Sequence, residues 1–146
     1  MKIAIVHYHL QPGGVTRVIE NTIQAWKENG NDIQAVAISG RPYPGAQLPS
    51  TRVVEGLDYA SPEDAIDPQV LASRLQESAK NALGQSPDLW HIHNHSLGKN
   101  PSLTAAVSIL AESSERILLH PHDFAEDGRP GNYLSLCEVY QRAYPT

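Results

Sequence analysis

The chain has 146 residues, 40% hydrophobic and 18% charged, which suits one compact domain with its own core and excludes a disordered chain. Sixteen acidic against eleven basic residues give a net charge of −5 with no basic block, which excludes nucleic acid as a partner. The lone Cys137 excludes a disulfide framework, no apolar run reaches bilayer-spanning length, and Ile3–Ala4–Ile5–Val6 is too short for a signal-peptide core, so the expectation is a cytoplasmic single domain over residues 1–146 without a transmembrane segment.

In chain order, Lys2–Tyr8 is apolar and β-branched, which predicts a strand buried on both faces. Gln11–Pro12–Gly13–Gly14 is a turn. Val15, Val18, Ile19, Thr22, Ile23 and Trp26 then recur at helical spacing, and Asn29–Gly30 ends that helix. Ile33–Ser39 reads as a second strand. Prolines and glycines break residues 40–66, leaving Thr51–Val54 as a short strand. Asp67–Pro68 starts a helix carrying Leu71, Leu75 and Ala79, which Gly84 can end. Asp88–His93 is a strand, and Asn100–Pro101 opens a helix with Leu103, Ala106, Val107 and Leu110 on one face. Arg116–His120 is the last strand, residues 123–132 a polar loop, and Tyr133–Tyr144 a final helix.

Strands alternating with helices predict the α/β class: a doubly wound, Rossmann-like parallel sheet in three α/β/α layers, with strand order 3-2-1-4-5. In such sheets ligands bind outside the carboxyl ends of the strands. The seven histidines His7, His9, His91, His93, His95, His120 and His122 all fall at or just past three of those ends. Their spacing of two keeps each group on one side of its strand. Imidazoles gathered there suit proton or phosphate chemistry near neutral pH.

Gly13–Gly14, at the junction of first strand and first helix, allows close approach to a helix N-terminus, where phosphate or carboxylate is the natural guest. The first helix is expected to begin within two residues of Gly14. The loop after the last strand offers Asp123 and Arg129 for hydrogen bonds to a polyhydroxylated ligand. Three other sites are excluded by pattern. Pro12–Gly13–Gly14–Val15–Thr16–Arg17 is not a dinucleotide fingerprint, and neither a P-loop nor a nucleophile elbow occurs.

Three segments carry a family resemblance. Met1–Trp26, with its Gly13–Gly14–Val15–Thr16–Arg17 turn, resembles the opening of a family 4 glycosyltransferase. Asp88–Leu89–Trp90–His91–Ile92–His93 is similar to that family's strand ending in His-x-His, and Leu118–Leu119–His120–Pro121–His122–Asp123–Phe124 to its strand ending in a His-Asp pair. The resemblance implies the N-terminal, acceptor-side domain of a GT-B enzyme. Such an enzyme transfers a sugar from a nucleotide-sugar donor, with retention, to a sugar or other hydroxyl acceptor.

The resemblance also implies residue roles. Gly13, Gly14 and Arg17 would meet the donor phosphates. His122 and Asp123 would sit at the reaction centre, with His120 as the second candidate. His9, His93, Asn94, His120 and Arg129 would line the acceptor crevice. No cofactor beyond the donor is implied. A second Rossmann-like domain would be needed for activity, so the chain alone is not expected to turn over.

Two other classes fit the same residues. One is a metal-dependent hydrolase using His7, His9, His91, His93 and Asp123. The other is a non-catalytic module binding carbohydrate or phosphate. Few carboxylates accompany the histidines, so no tightly bound metal is expected.

Overall fold

The computed structural model describes residues 1–139. The elements run β1 (Lys2–Val6), α1 (Gly14–Glu28), β2 (Gln34–Ser39), β3 (Thr51–Val53), α2 (Pro68–Leu83), β4 (Leu89–His93), α3 (Pro101–Glu112), β5 (Ile117–His120) and α4 (Pro130–Val139). The five strands form one sheet in the order β3-β2-β1-β4-β5, and every pair is parallel. The doubly wound α/β fold expected from the alternation is therefore the observed one. Among the described residues no helix is long and apolar enough to cross a membrane.

Alternation along β1 divides the core into two layers. Ala4 and Val6, followed by Tyr8, face a cluster with Leu71, Leu75 and Ala79 of α2 and Leu103, Val107 and Leu110 of α3. Ile3 and Ile5 face the other way, onto Ile19 and Ile23 of α1. Each isoleucine buried so completely contributes about 1.5–3 kcal/mol, so the stripe of α1 fixes which side of the sheet that helix covers.

Two of the helix starts are capped as the sequence indicates. Asp67 Oδ1 accepts from the backbone N–H of Gln69 at 2.8 Å and Val70 at 3.1 Å. Asn100 Oδ1 accepts from Leu103 N–H at 3.3 Å, while its amide donates to the carbonyls of Gly56 and Asp58. Gly84 ends α2 in the left-handed conformation, at φ 76°.

β2, β3, β4 and β5 are each one residue shorter than the sequence reading, and two boundaries differ by more. β1 stops at Val6, so His7 and Tyr8 leave the strand, although His7 N–H still donates to Ile38 O at 3.1 Å. The last helix begins at Pro130 rather than Tyr133, because proline suits the first helical turn and Tyr133 N–H already reaches Arg129 O at 3.1 Å. The part of that helix expected beyond Val139 lies outside the described residues.

Candidate functional site

Register brings the histidines together. Ile5 pairs with His91 across β1 and β4, and His93 pairs with His120 across β4 and β5. Paired residues of parallel strands share a face, so His91, His93 and His120 stand on the same side of the sheet as Ile5 and α1. The contacts follow from that placement. His91 Nε2 and His120 Nδ1 are 3.0 Å apart, and His93 Nδ1 and His122 Nε2 are 2.9 Å apart. The His91 and His120 rings are nearly coplanar in orientation (7°), as are His93 and His122 (13°). His7 joins from β1, its Nδ1 at 3.4 Å from the carbonyl of His93.

Burial decides the charge state of this row. His91 and His7 are pushed down to about 4, in both cases chiefly by burial, which disfavours the imidazolium. His93, fully buried and beside four other imidazoles, is pushed down to about 2, again with burial as the first cause. His95 is pushed down to about 4 by burial alone. His122 is lowered as well, by burial and then by His120, while Asp123 opposes the shift. At neutral pH His7, His91, His93 and His95 are therefore neutral donors and acceptors.

His95 stands apart, His9 meets the row only through an edge contact with His7 at 5.7 Å between ring centroids, and His91 lies deeper than foreseen. Asn94 adopts a left-handed conformation, φ 56°, directly after β4, which breaks the alternation before His95. His95 is buried elsewhere, its carbonyl accepting from Thr104 Oγ1 at 2.6 Å. His9 packs against Tyr59, ring centroids 4.9 Å apart. His91 is inside β4, two residues before its end.

Asn94 is itself buried and structural in its contacts. Its Oδ1 accepts from the backbone N–H of His122 at 2.6 Å and of Asp123 at 3.3 Å, and its carbonyl accepts from Tyr8 Oη at 2.8 Å. It thereby holds the loop after β5 against the end of β4. His122 and Asp123 are exposed on that loop, and the Asp123 carboxylate lies 3.8 Å from Arg129.

The glycine turn behaves as a separate part of the same sheet edge. α1 begins at Gly14, with no side-chain cap on its start and no acid in its first turn. That contrasts with α2 and α3, whose first N–H groups are taken by Asp67 and Asn100. A Cβ on Gly13 would meet only Gln11 O at 3.8 Å, and one on Gly14 would meet nothing within 4 Å. Neither glycine is demanded by packing, which leaves ligand approach as a reason for them. A cleft of about 250 Å³ lies here, lined by Gly13, Thr16, Arg17, Tyr43 and Gln47 among others. Arg17 is paired with Glu20 at 3.4 Å, and Tyr43 Oη donates to Glu20 Oε1 at 2.7 Å.

Sequence reading missed Tyr59 and Lys99. Tyr59 is 44% exposed, and Lys99 Nζ stands 5.5 Å from its ring centre. Tyr59 sits in the proline- and glycine-rich stretch, where no periodicity marks it. Nor does the structure assemble the residue set of the hydrolase reading. His9 turns to Tyr59, Asp123 to Arg129, and the close group is His91, His93 and His120.

Over an alignment of 141 positions that covers 88% of it, the chain is 30% identical to the mannosylglucosyl-3-phosphoglycerate synthase of Petrotoga mobilis (strain DSM 10674 / SJ95). It covers 27% of that protein, so it spans about a quarter of the relative it matches. No protein-family model and no solved structure matches the chain.

Proposed function

We propose that the chain is the acceptor-side domain of a retaining, GT-B glycosyltransferase of the family 4 type, acting with a second Rossmann-like domain. The observation that carries this reading is the uncapped start of α1 at two glycines that packing does not require, on the same sheet edge as the histidine row. The similarity to a synthase whose product joins mannosyl and glucosyl units supports it.

On this reading the donor diphosphate approaches Gly13 and Gly14. The free N–H groups and partial positive charge of the helix start stabilise the charge that develops as the diphosphate leaves. Arg17 adds a cation once drawn from Glu20. His122 and Asp123, exposed on the loop that Asn94 anchors, stand at the sugar being transferred. His9, His120 and Arg129 border the acceptor, which Tyr59 offers an aromatic face, while His93 is fully buried behind them. The relative's product carries a phosphoglycerate, and Lys99 beside Tyr59 makes an anionic sugar the first acceptor class to try.

The test is sugar transfer by the two-domain protein, assayed with a panel of nucleotide sugars and with neutral and phosphorylated sugar acceptors. Transfer that is lost on replacing Gly13 or His122, with the anomeric configuration of the donor kept in the product, is the expected result. Hydrolysis of small phosphate or ester substrates without transfer would replace this reading with the hydrolase one.

A further inference from the structure

We propose that His91, His93 and His120 form a nitrogen-only site for one first-row divalent cation of the zinc class, joining the edge strand β5 to β4. One candidate ligand nitrogen from each residue lies within 4.8 Å of the other two. Tetrahedral coordination at about 2.0–2.1 Å places neighbouring nitrogens roughly 3.3 Å apart. The His91 Nε2 to His120 Nδ1 separation of 3.0 Å already matches that within a few tenths of an ångström. The third nitrogen, from His93, starts no more than 4.8 Å from either of these.

One buried nitrogen of His93 is left for the ion. His93 Nδ1 faces His122 Nε2 at 2.9 Å, while His93 Nε2 is buried with no hydrogen-bond partner. A polar atom buried in that way is costly, and a metal ion satisfies it. In the tautomer that donates Nδ1–H to His122, His93 presents a bare Nε2, the arrangement in which an outer partner fixes the tautomer of a metal ligand. Between His91 and His120 one ring now holds the shared hydrogen. Binding moves it to that ring's other nitrogen, with no net change of charge.

The ligand set selects the ion. The three nitrogens come with no carboxylate among them, which disfavours magnesium and calcium and suits zinc, cobalt, nickel or copper. The shortage of carboxylates, which in the sequence argues against a metal, is therefore no obstacle for this class. Three protein ligands leave a fourth position, and the face is open there: His120 is half-buried, and Leu118, on the same side of β5, is 48% exposed.

The experiment uses the 146-residue chain without a histidine tag, stripped by chelator and titrated with Co²⁺, then with Zn²⁺ in competition. One equivalent of Co²⁺ with the intense visible bands of tetrahedral coordination is expected, with a rise in Tm on adding Zn²⁺. His120→Ala should weaken binding by at least about 100-fold, and His122→Gln by about 10-fold at unchanged stoichiometry, the scale for losing an outer partner. His9→Ala should bind as the parent does. Well under one equivalent, a weak octahedral Co²⁺ spectrum, or equal affinity in folded His120→Ala would overturn the site. Should His120→Ala fail to fold, the parent's spectrum and stoichiometry decide alone.

Discussion

Asn94 Oδ1 accepts the backbone N–H groups of both His122 and Asp123, so one buried side chain at the end of β4 sets the path of the loop leaving β5. Asn94 also carries the left-handed φ of 56° that asparagine tolerates better than most residues. Asn94→Ala removes the acceptor and keeps the backbone strain. It should destabilise the fold by about 1–2 kcal/mol, the scale for losing hydrogen bonds to partly exposed backbone donors. Asn94→Asp keeps an acceptor and should recover most of that. Urea unfolding of both variants measures the difference, and equal stability of Asn94→Ala and the parent would show the loop to be held otherwise.

His122 is exposed and contributes little to the core. His122→Ala should leave folding nearly intact and, in the two-domain enzyme of the proposed function, lower sugar transfer by roughly 10²-fold or more, the scale for a well-placed polar group at a reaction centre. His120, half-buried against His91, should matter less to the chemistry. Measuring kcat for both variants settles the register. Loss confined to His120→Ala would shift the reactive position back by one His-x-His step, and full activity in both would make this strand end structural.

The sheet was legible because its signals are local. Ile3–Val6 and Leu89–His93 declare buried strands, and Asp67–Pro68 and Asn100–Pro101 declare helix starts, each through contacts within a few residues. Strand order then placed the histidine ends side by side. What stayed hidden depends on contacts far along the chain. The meeting of His91 with His120 spans 29 positions and rests on the β4–β5 register, which no pattern in either strand specifies. Asn94 read as a crevice residue because its left-handed backbone and inward side chain are consequences of packing. Tyr59 was lost in a stretch where prolines erase periodicity.

Gly13 and Gly14 offer a test that separates ligand approach from folding. Neither has a left-handed φ, and a Cβ on either has room. Gly14→Ala should hold or raise stability, by up to about 1 kcal/mol, because alanine restricts the unfolded chain and favours helix. In the two-domain enzyme the same change should raise KM for the nucleotide sugar or lower kcat by about 10-fold or more, since the methyl stands where phosphate would meet the N–H groups. Unchanged kinetics in both Gly13→Ala and Gly14→Ala would remove the phosphate from this helix start.

The buried imidazoles predict a steep loss of stability in mild acid. Burial pushes His7, His91 and His95 down to about 4 and His93 down to about 2 in the folded chain, against 6.5 for a free histidine. Between those values the unfolded chain binds more protons than the folded one, so stability rises with pH. Their contribution is complete above pH 6.5 and is lost as the pH falls toward 4. A histidine so lowered adds up to about 1.4 kcal/mol per pH unit within that window, and all four act in the same direction. Urea midpoints measured with chelator present, so that no metal competes with protons, should fall sharply between pH 7 and pH 5. His91→Gln, if it folds, should flatten that slope by one histidine's share. A midpoint that stays level across the range would mean that the row takes up protons while folded, and that its burial does not hold it neutral.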